Sequence, residues 1–192
     1  MRMNLTILLF VSLFCGSTLA ETEVFSKLID LENRLKESET QIEEMKNKEA
    51  TNIIFSAAAV GGDAFGPFSH DTVLVYSRVI TNVGNAYNYD TGIFAAPVAG
   101  FYYFTFFYHA GGEKRSKLSL IQNADVVVQS SDHSSTNDGA DNGGNAAFLQ
   151  LQKGDQVYVR LVAGRHVWRS DFTTFSGFLI KLVEQDSVVT AI

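Results

Sequence analysis

From Phe101 to Tyr108 the chain reads FYYFTFFY. In a strand, alternation sends Phe101, Tyr103, Thr105 and Phe107 to one face and Tyr102, Phe104, Phe106 and Tyr108 to the other. Both faces are aromatic. An antiparallel sheet with one solvated face would alternate apolar with polar residues instead. One face therefore belongs in a core, and the other needs cover from more of the same chain or from a neighbouring subunit. The subunit is the expected cover, because a single head rarely leaves so much aromatic surface in water.

The surroundings extend this reading. From Asn52 onward, short apolar runs alternate with Gly, Asn and Asp clusters. The runs predict strands at 53–59, 73–80, 102–109, 118–122, 126–129, 146–152, 157–162 and 175–183. Breakers separate several of them: Gly61-Gly62, Asn82 to Asn85, Gly111-Gly112 and Lys153-Gly154-Asp155. Many short strands without helical patterns between them make an all-β sandwich or jelly roll.

Residues 21–50 differ in kind. They hold no Gly or Pro, and Val24, Leu28, Leu31, Leu35, Ile42 and Met45 recur on three- and four-residue steps, with Ser38 as the one polar gap. That is the a/d seam of a short α-helical coiled coil. Lys27 and Glu32, and Arg34 and Glu39, occupy g and following e positions, which attract between parallel helices. The alternative is an amphipathic helix lying on its own head; the narrow seam and the charge pairs favour self-association. About four heptads are marginal alone, and Leu at both a and d does not choose between two and three strands. Ahead of this stalk, Arg2, the apolar Leu5 to Phe14 and the small residues up to Ala20 read as a signal peptide over 1–20, cleaved after Ala20. A mostly apolar run of this length is too short to span a bilayer, so membrane insertion is not expected. Three parts follow: leader 1–20, stalk 21–50 and head 51–192.

Losing the leader would remove Arg2 and no acid, so the formal charge of −6 becomes one unit more negative. It would also remove Cys15, the only cysteine, and Asn4-Leu5-Thr6, the glycosylation sequon. The mature chain would enter an oxidising compartment with no disulfide available, its stability resting on a core and on subunit contacts. An acidic balance argues against nucleic acid, which needs clustered Lys and Arg.

Tyr76, Asn82, Tyr87, Phe94, Gly100, Tyr102, Phe104 and Phe106 resemble the signature of the complement C1q globular-head family, with Tyr76 in place of the usual Phe. Ile54-Phe55-Ser56-Ala57, Gly154 to Val159 and Phe175 to Ile180 are similar to further strands of that family, so the likeness covers nearly all of 52–183. The resemblance implies a jelly roll of the tumour-necrosis-factor type, a homotrimer, secretion and no catalysis. It also implies that inner aromatics fill the sandwich and outer ones contribute to a trimer core. No Gly-X-Y run is present, so a collagen stalk is absent and the chain looks like the short, cerebellin-type branch with a coiled coil. Within the signature, Pro97 fixes φ, and Gly100 is expected to let the backbone turn.

No catalytic constellation stands out among His70, His109, His133 and His166, and no nucleophile elbow or phosphate loop is present. His109, at the end of the aromatic strand, reads as a packing or hydrogen-bonding residue rather than a base. No cofactor is expected, with calcium the one possibility. Asp132, Asp138 and Asp141 in the polar stretch Ser130 to Gly144 offer hard oxygens, and some relatives bind calcium near the trimer axis. A solvated hairpin tip explains the stretch as well. Lys114, Arg115 and Lys117, with Arg160, Arg165, His166 and Arg169, are local basic groups in an acidic chain. They are candidates for an anionic-ligand patch, and Trp168 beside Arg165 and Arg169 would strengthen it. Surface cations that only keep edge strands soluble would look the same. Two functions fit: a multivalent recognition protein for microbial or cell-surface ligands in innate immunity, or a cerebellin-like signalling ligand for a protein receptor. Assembly with itself is expected, with hetero-oligomers open.

Overall fold

A computed structural model describes residues 5–136 and 139–183, with side chains over 22–46 and from 51 onward. The chain divides between Thr51 and Asn52. Helix α1 (Leu5–Ala50) takes in the whole of the stalk and most of the expected leader. Its described side chains, including the whole seam from Val24 to Met45, are exposed. Ser38 fills the polar gap with its hydroxyl satisfied, donating to the Arg34 carbonyl one turn back (2.9 Å). Lys27 Nζ bonds Glu23 within the same helix at 2.7 Å; pairing with Glu32 of another helix would exchange one exposed, weak ion pair for another. Among the described residues no helix is long and apolar enough to cross a membrane.

The head contains β1 (Ile54–Ala58), β2 (Ala64–Phe65), β3 (Thr72–Val73), β4 (Arg78–Val83), β5 (Tyr87–Asn88), β6 (Ile93–Ala95), β7 (Gly100–Gly111), β8 (Ser116–Gln122), β9 (Asp125–Asp132), β10 (Ala140–Leu151), β11 (Gln156–Leu161), β12 (Val167–Trp168) and β13 (Thr174–Leu182). One antiparallel sheet has the order β2-β12-β7-β13-β1-β4, with β10 along the whole length of β7. The other has the order β5-β6-β11-β8-β9, with β3 also on β11. The aromatic run lies in β7, in the middle of the first sheet. Tyr102, Phe104, Phe106 and Tyr108 are fully buried and meet Phe55, Phe94, Phe175 and the apolar side of β8 and β11. Phe55 is the hub, with ring centroids 5.3 Å from Phe94 and 4.9 Å from Phe175.

Two expectations need correction. The single strand expected at 73–80 is two strands in different sheets: β3 pairs with β11 and β4 with β1. The crossing keeps Leu74 and Tyr76 buried, so the apolar pattern continues where the pairing does not. The polar stretch 130–144 is mostly strand, since β9 reaches Asp132 and β10 begins at Ala140. Gly143 and Gly144 pair with Tyr108 and Phe107, and small residues there leave room for bulky rings. The two- and three-residue strands β2, β5, β6 and β12 went unforeseen because they are too short to show alternation.

Candidate interaction surfaces

The signature spacing has a structural cause. Asn82, on β4, clasps the backbone of Tyr87: its Nδ2 donates to the Tyr87 carbonyl (2.8 Å), and its Oδ1 accepts from the Tyr87 N–H (3.3 Å). Tyr87 Oη in turn donates to the Tyr76 carbonyl (3.0 Å) and accepts from the Tyr76 N–H (3.2 Å). The ring of Tyr87 stacks on Phe55 at 4.8 Å. Burial pushes the Tyr87 phenol up to about 12, against the lowering effect of its bond to Tyr76. Tyr76 is wholly buried and its hydroxyl finds no hydrogen-bond partner among the described residues; burial, then the neighbouring Tyr87, hold that phenol well above its usual range. Tyr102 Oη donates to the Val98 carbonyl (2.8 Å), tying β7 to the bend after Pro97. Gly100 serves close approach rather than the expected turn. It begins β7, and a Cβ there would meet Leu179 Cδ1 at 2.5 Å and the Lys181 carbonyl at 2.8 Å. These residues build the fold.

The surface that faces away from this core is apolar across five strands. Register places Phe148 (β10), Tyr103 (β7), Phe178 (β13), Ile54 (β1) and Val83 (β4) in one row. Tyr103 lies between Phe148 (5.0 Å) and Phe178 (5.6 Å). Phe148 is 72% exposed, Val83 46%, Ile54 43% and Phe178 40%. Phe107, Ile80 and Ile180 are exposed as well. The described chain leaves the second face of the aromatic strand open.

The basic residues separate into different settings. Arg169 is held by Asp63, with Nε to Oδ1 at 2.9 Å and Nη2 to Oδ2 at 2.5 Å. That bond holds the exposed Asp63 carboxyl below its ordinary range. Arg160 pairs with Asp71 at 3.2 Å. Arg115, Lys117 and Arg165 share one hollow with His133, while Lys114, His166 and Trp168 line a neighbouring cavity of about 530 Å³. The grouping of Trp168 with Arg165 and Arg169 that would have strengthened the patch is thus not found, since Trp168 and Arg165 line different hollows and Arg169 is engaged by Asp63. The Trp168 and His109 rings pack at a near right angle, with centroids 4.8 Å apart. His166 is buried, and that burial, with Lys114 adding to it, lowers its imidazole against a raising bond to the Arg115 backbone.

Of the calcium candidates, Asp138 lies outside the described residues. Asp132 and Asp141 both bear on Tyr108, whose phenol is raised first by burial and then by their charges. Calcium takes six to eight oxygens. No group of three or more His, Cys, Asp or Glu side chains comes together among the described residues.

The C1q domain family model matches residues 54–180, the sandwich from β1 into β13. The chain belongs to the C1q domain family. Complement C1q tumor necrosis factor-related protein 3 of Mus musculus is 37% identical over 110 residues, 56% of this chain and 44% of that protein. The Homo sapiens protein of the same name is 36% identical over the same shares. The chain thus spans less than half the length of these relatives. The globular domain of zebrafish complement 1qA protein superposes with a TM-score of 0.57 at 22% identity, over 69% of this chain and 99% of that one. Eiger TNF from S. frugiperda gives 0.58 at 18%, over 71% and 97%. The C1q head is accordingly a TNF-like jelly roll behind one N-terminal helix, as expected.

Proposed function

We propose that this C1q-domain protein is a secreted homotrimer that acts by binding rather than catalysis, its heads recognising microbial or cell-surface ligands. The uncovered apolar row from Phe148 to Val83 carries the reading. An apolar face of this continuity favours burial, and two further copies of the same chain are its occupant. Residues 24–45 supply a parallel seam for the same assembly, and obligate subunit faces are of this apolar character. The test is sedimentation equilibrium of secreted protein, with wild type expected at the mass of three chains. Phe148→Glu should fall to one chain with an intact fold, because Phe148 is already exposed in the single head. Wild type at one chain's mass would refute the trimer. Parallel binding screens on bacteria and on neuronal and immune cells then separate the recognition role from that of a receptor ligand.

A further inference from the structure

The hollow of Arg115, Ser116, Lys117, Ser131, Asp132, His133 and Arg165 encloses about 200 Å³. It is assembled from three parts of the chain, the start of β8, the end of β9 and the turn before β12. The Lys117 carbonyl accepts from the Val162 N–H (3.1 Å) and the Arg115 carbonyl from the His166 N–H (3.4 Å). Ser116 Oγ, buried between them, donates to the His166 carbonyl at 2.8 Å. The cations thus stand on a fixed frame rather than on a loose loop.

Charge is the second observation. The other arginines of the head are ion-paired: Arg78 with Asp171, Arg160 with Asp71 and Arg169 with Asp63. Among the described residues, Arg115, Lys117 and Arg165 have no such partner, although acids outnumber Lys and Arg by 21 to 15 in the chain. Three like charges on one frame repel unless an anion joins them. One carboxylate, Asp132, lies at the rim; it pairs in register with Ser116, forms no ion pair with the three cations among the described residues, and its charge also bears on Tyr108.

Size and lining narrow the ligand. None of the seven lining residues is apolar, and the volume equals about seven waters, below the range of about 300–1,000 Å³ of drug-sized pockets. Arg forks match the oxygens of a tetrahedral oxyanion. Asp132 and Ser131 at the rim suit hydroxyl groups. We propose that this hollow binds a sulfate or phosphate ester carried on a saccharide. The proposal gives a chemical class to the ligand of the recognition role above and rests on it, but the hollow is complete within one chain.

The test measures secreted full-length protein on an immobilised heparin tetrasaccharide, a phosphomannan and uncharged dextran. Wild type should bind one or both charged glycans and not dextran; which one it binds tells sulfate from phosphate. Arg115→Ser/Arg165→Ser, at exposed and half-buried positions, should lower that affinity by about tenfold or more and flatten its salt dependence. Arg78→Ser/Lys153→Ser removes equal charge elsewhere and should leave binding intact. Failure of both charged glycans to exceed dextran overturns the proposal, as does equal loss in the two double variants. Sedimentation of the same samples keeps the two readings apart: monomers that bind glycan through Arg115 and Arg165 refute the trimer and support the hollow.

Discussion

Tyr76 carries a hydroxyl into a core that offers it no partner among the described residues, and an unsatisfied buried polar group costs about 1–3 kcal/mol. Tyr76→Phe removes that hydroxyl and keeps the ring, which packs on Phe175 at 5.6 Å. Its backbone bonds to Tyr87 Oη do not involve the side chain and persist. The variant should be more stable by about 1 kcal/mol, a rise in melting temperature of roughly 2–4 °C; calorimetry showing a lower value would mean the hydroxyl is satisfied. This residue shows what sequence reading reaches. Its place in the signature, as a Tyr where Phe is usual, was legible from the aromatic spacing. The Asn82 clasp on Tyr87 was not, because a side chain bonding a backbone five residues on leaves no periodicity to read.

Among the elements, β7 was the most legible and its partners less so. Eight aromatic or β-branched residues in alternation declare a central strand, whereas β10 is declared only from Ala146 on, its first half hiding in a Gly/Asn/Asp stretch that by composition alone is a loop. The pairing explains both: strands beside so bulky a neighbour need small residues. β13 makes the same concession at Gly177, which pairs with Phe104. A Cβ there would meet Phe104 Cδ1 at 2.5 Å and Phe55 Cε1 at 2.8 Å. Those rings are hemmed in by Phe94 and Phe175, with Phe94 5.1 Å from Phe104, so neither yields easily. Gly177→Ala should therefore destabilise the head by about 1–3 kcal/mol through overpacking, although alanine is the better residue for an ordinary strand. Denaturant unfolding that finds it neutral or stabilising would show that this core is looser than its geometry states. The anion hollow was legible only in part for a related reason. Arg115, Lys117 and Arg165 were visible as basic residues, but ion pairing sorts cations by contacts made across the fold, and Asp63 removes Arg169 from 106 positions away.

At the scale of the whole molecule, the proposed trimer would draw on two apolar features, the outer row of the head and the seam of α1. They need not contribute equally. A helix of about four heptads is marginal as an isolated assembly, while the head offers a continuous five-strand face. The heads should therefore hold the trimer, with the stalk fixing its direction and linking its binding sites. Leu28→Glu/Leu35→Glu places charges in the seam and opposes helix association. The variant should still sediment as three chains, melt at a lower temperature and lose any assembly larger than the trimer. Binding to a multivalent surface gains about 10² to 10⁴ from linkage alone. Its affinity for whole cells should thus drop more than its affinity for one soluble heparin tetrasaccharide, which each hollow meets singly. Were the double variant to match wild type in melting temperature, assembly and cell binding, the stalk would be a tether and the heads alone would set the valency. A monomeric variant would reverse the ranking and make the seam, not the aromatic face, the origin of the trimer.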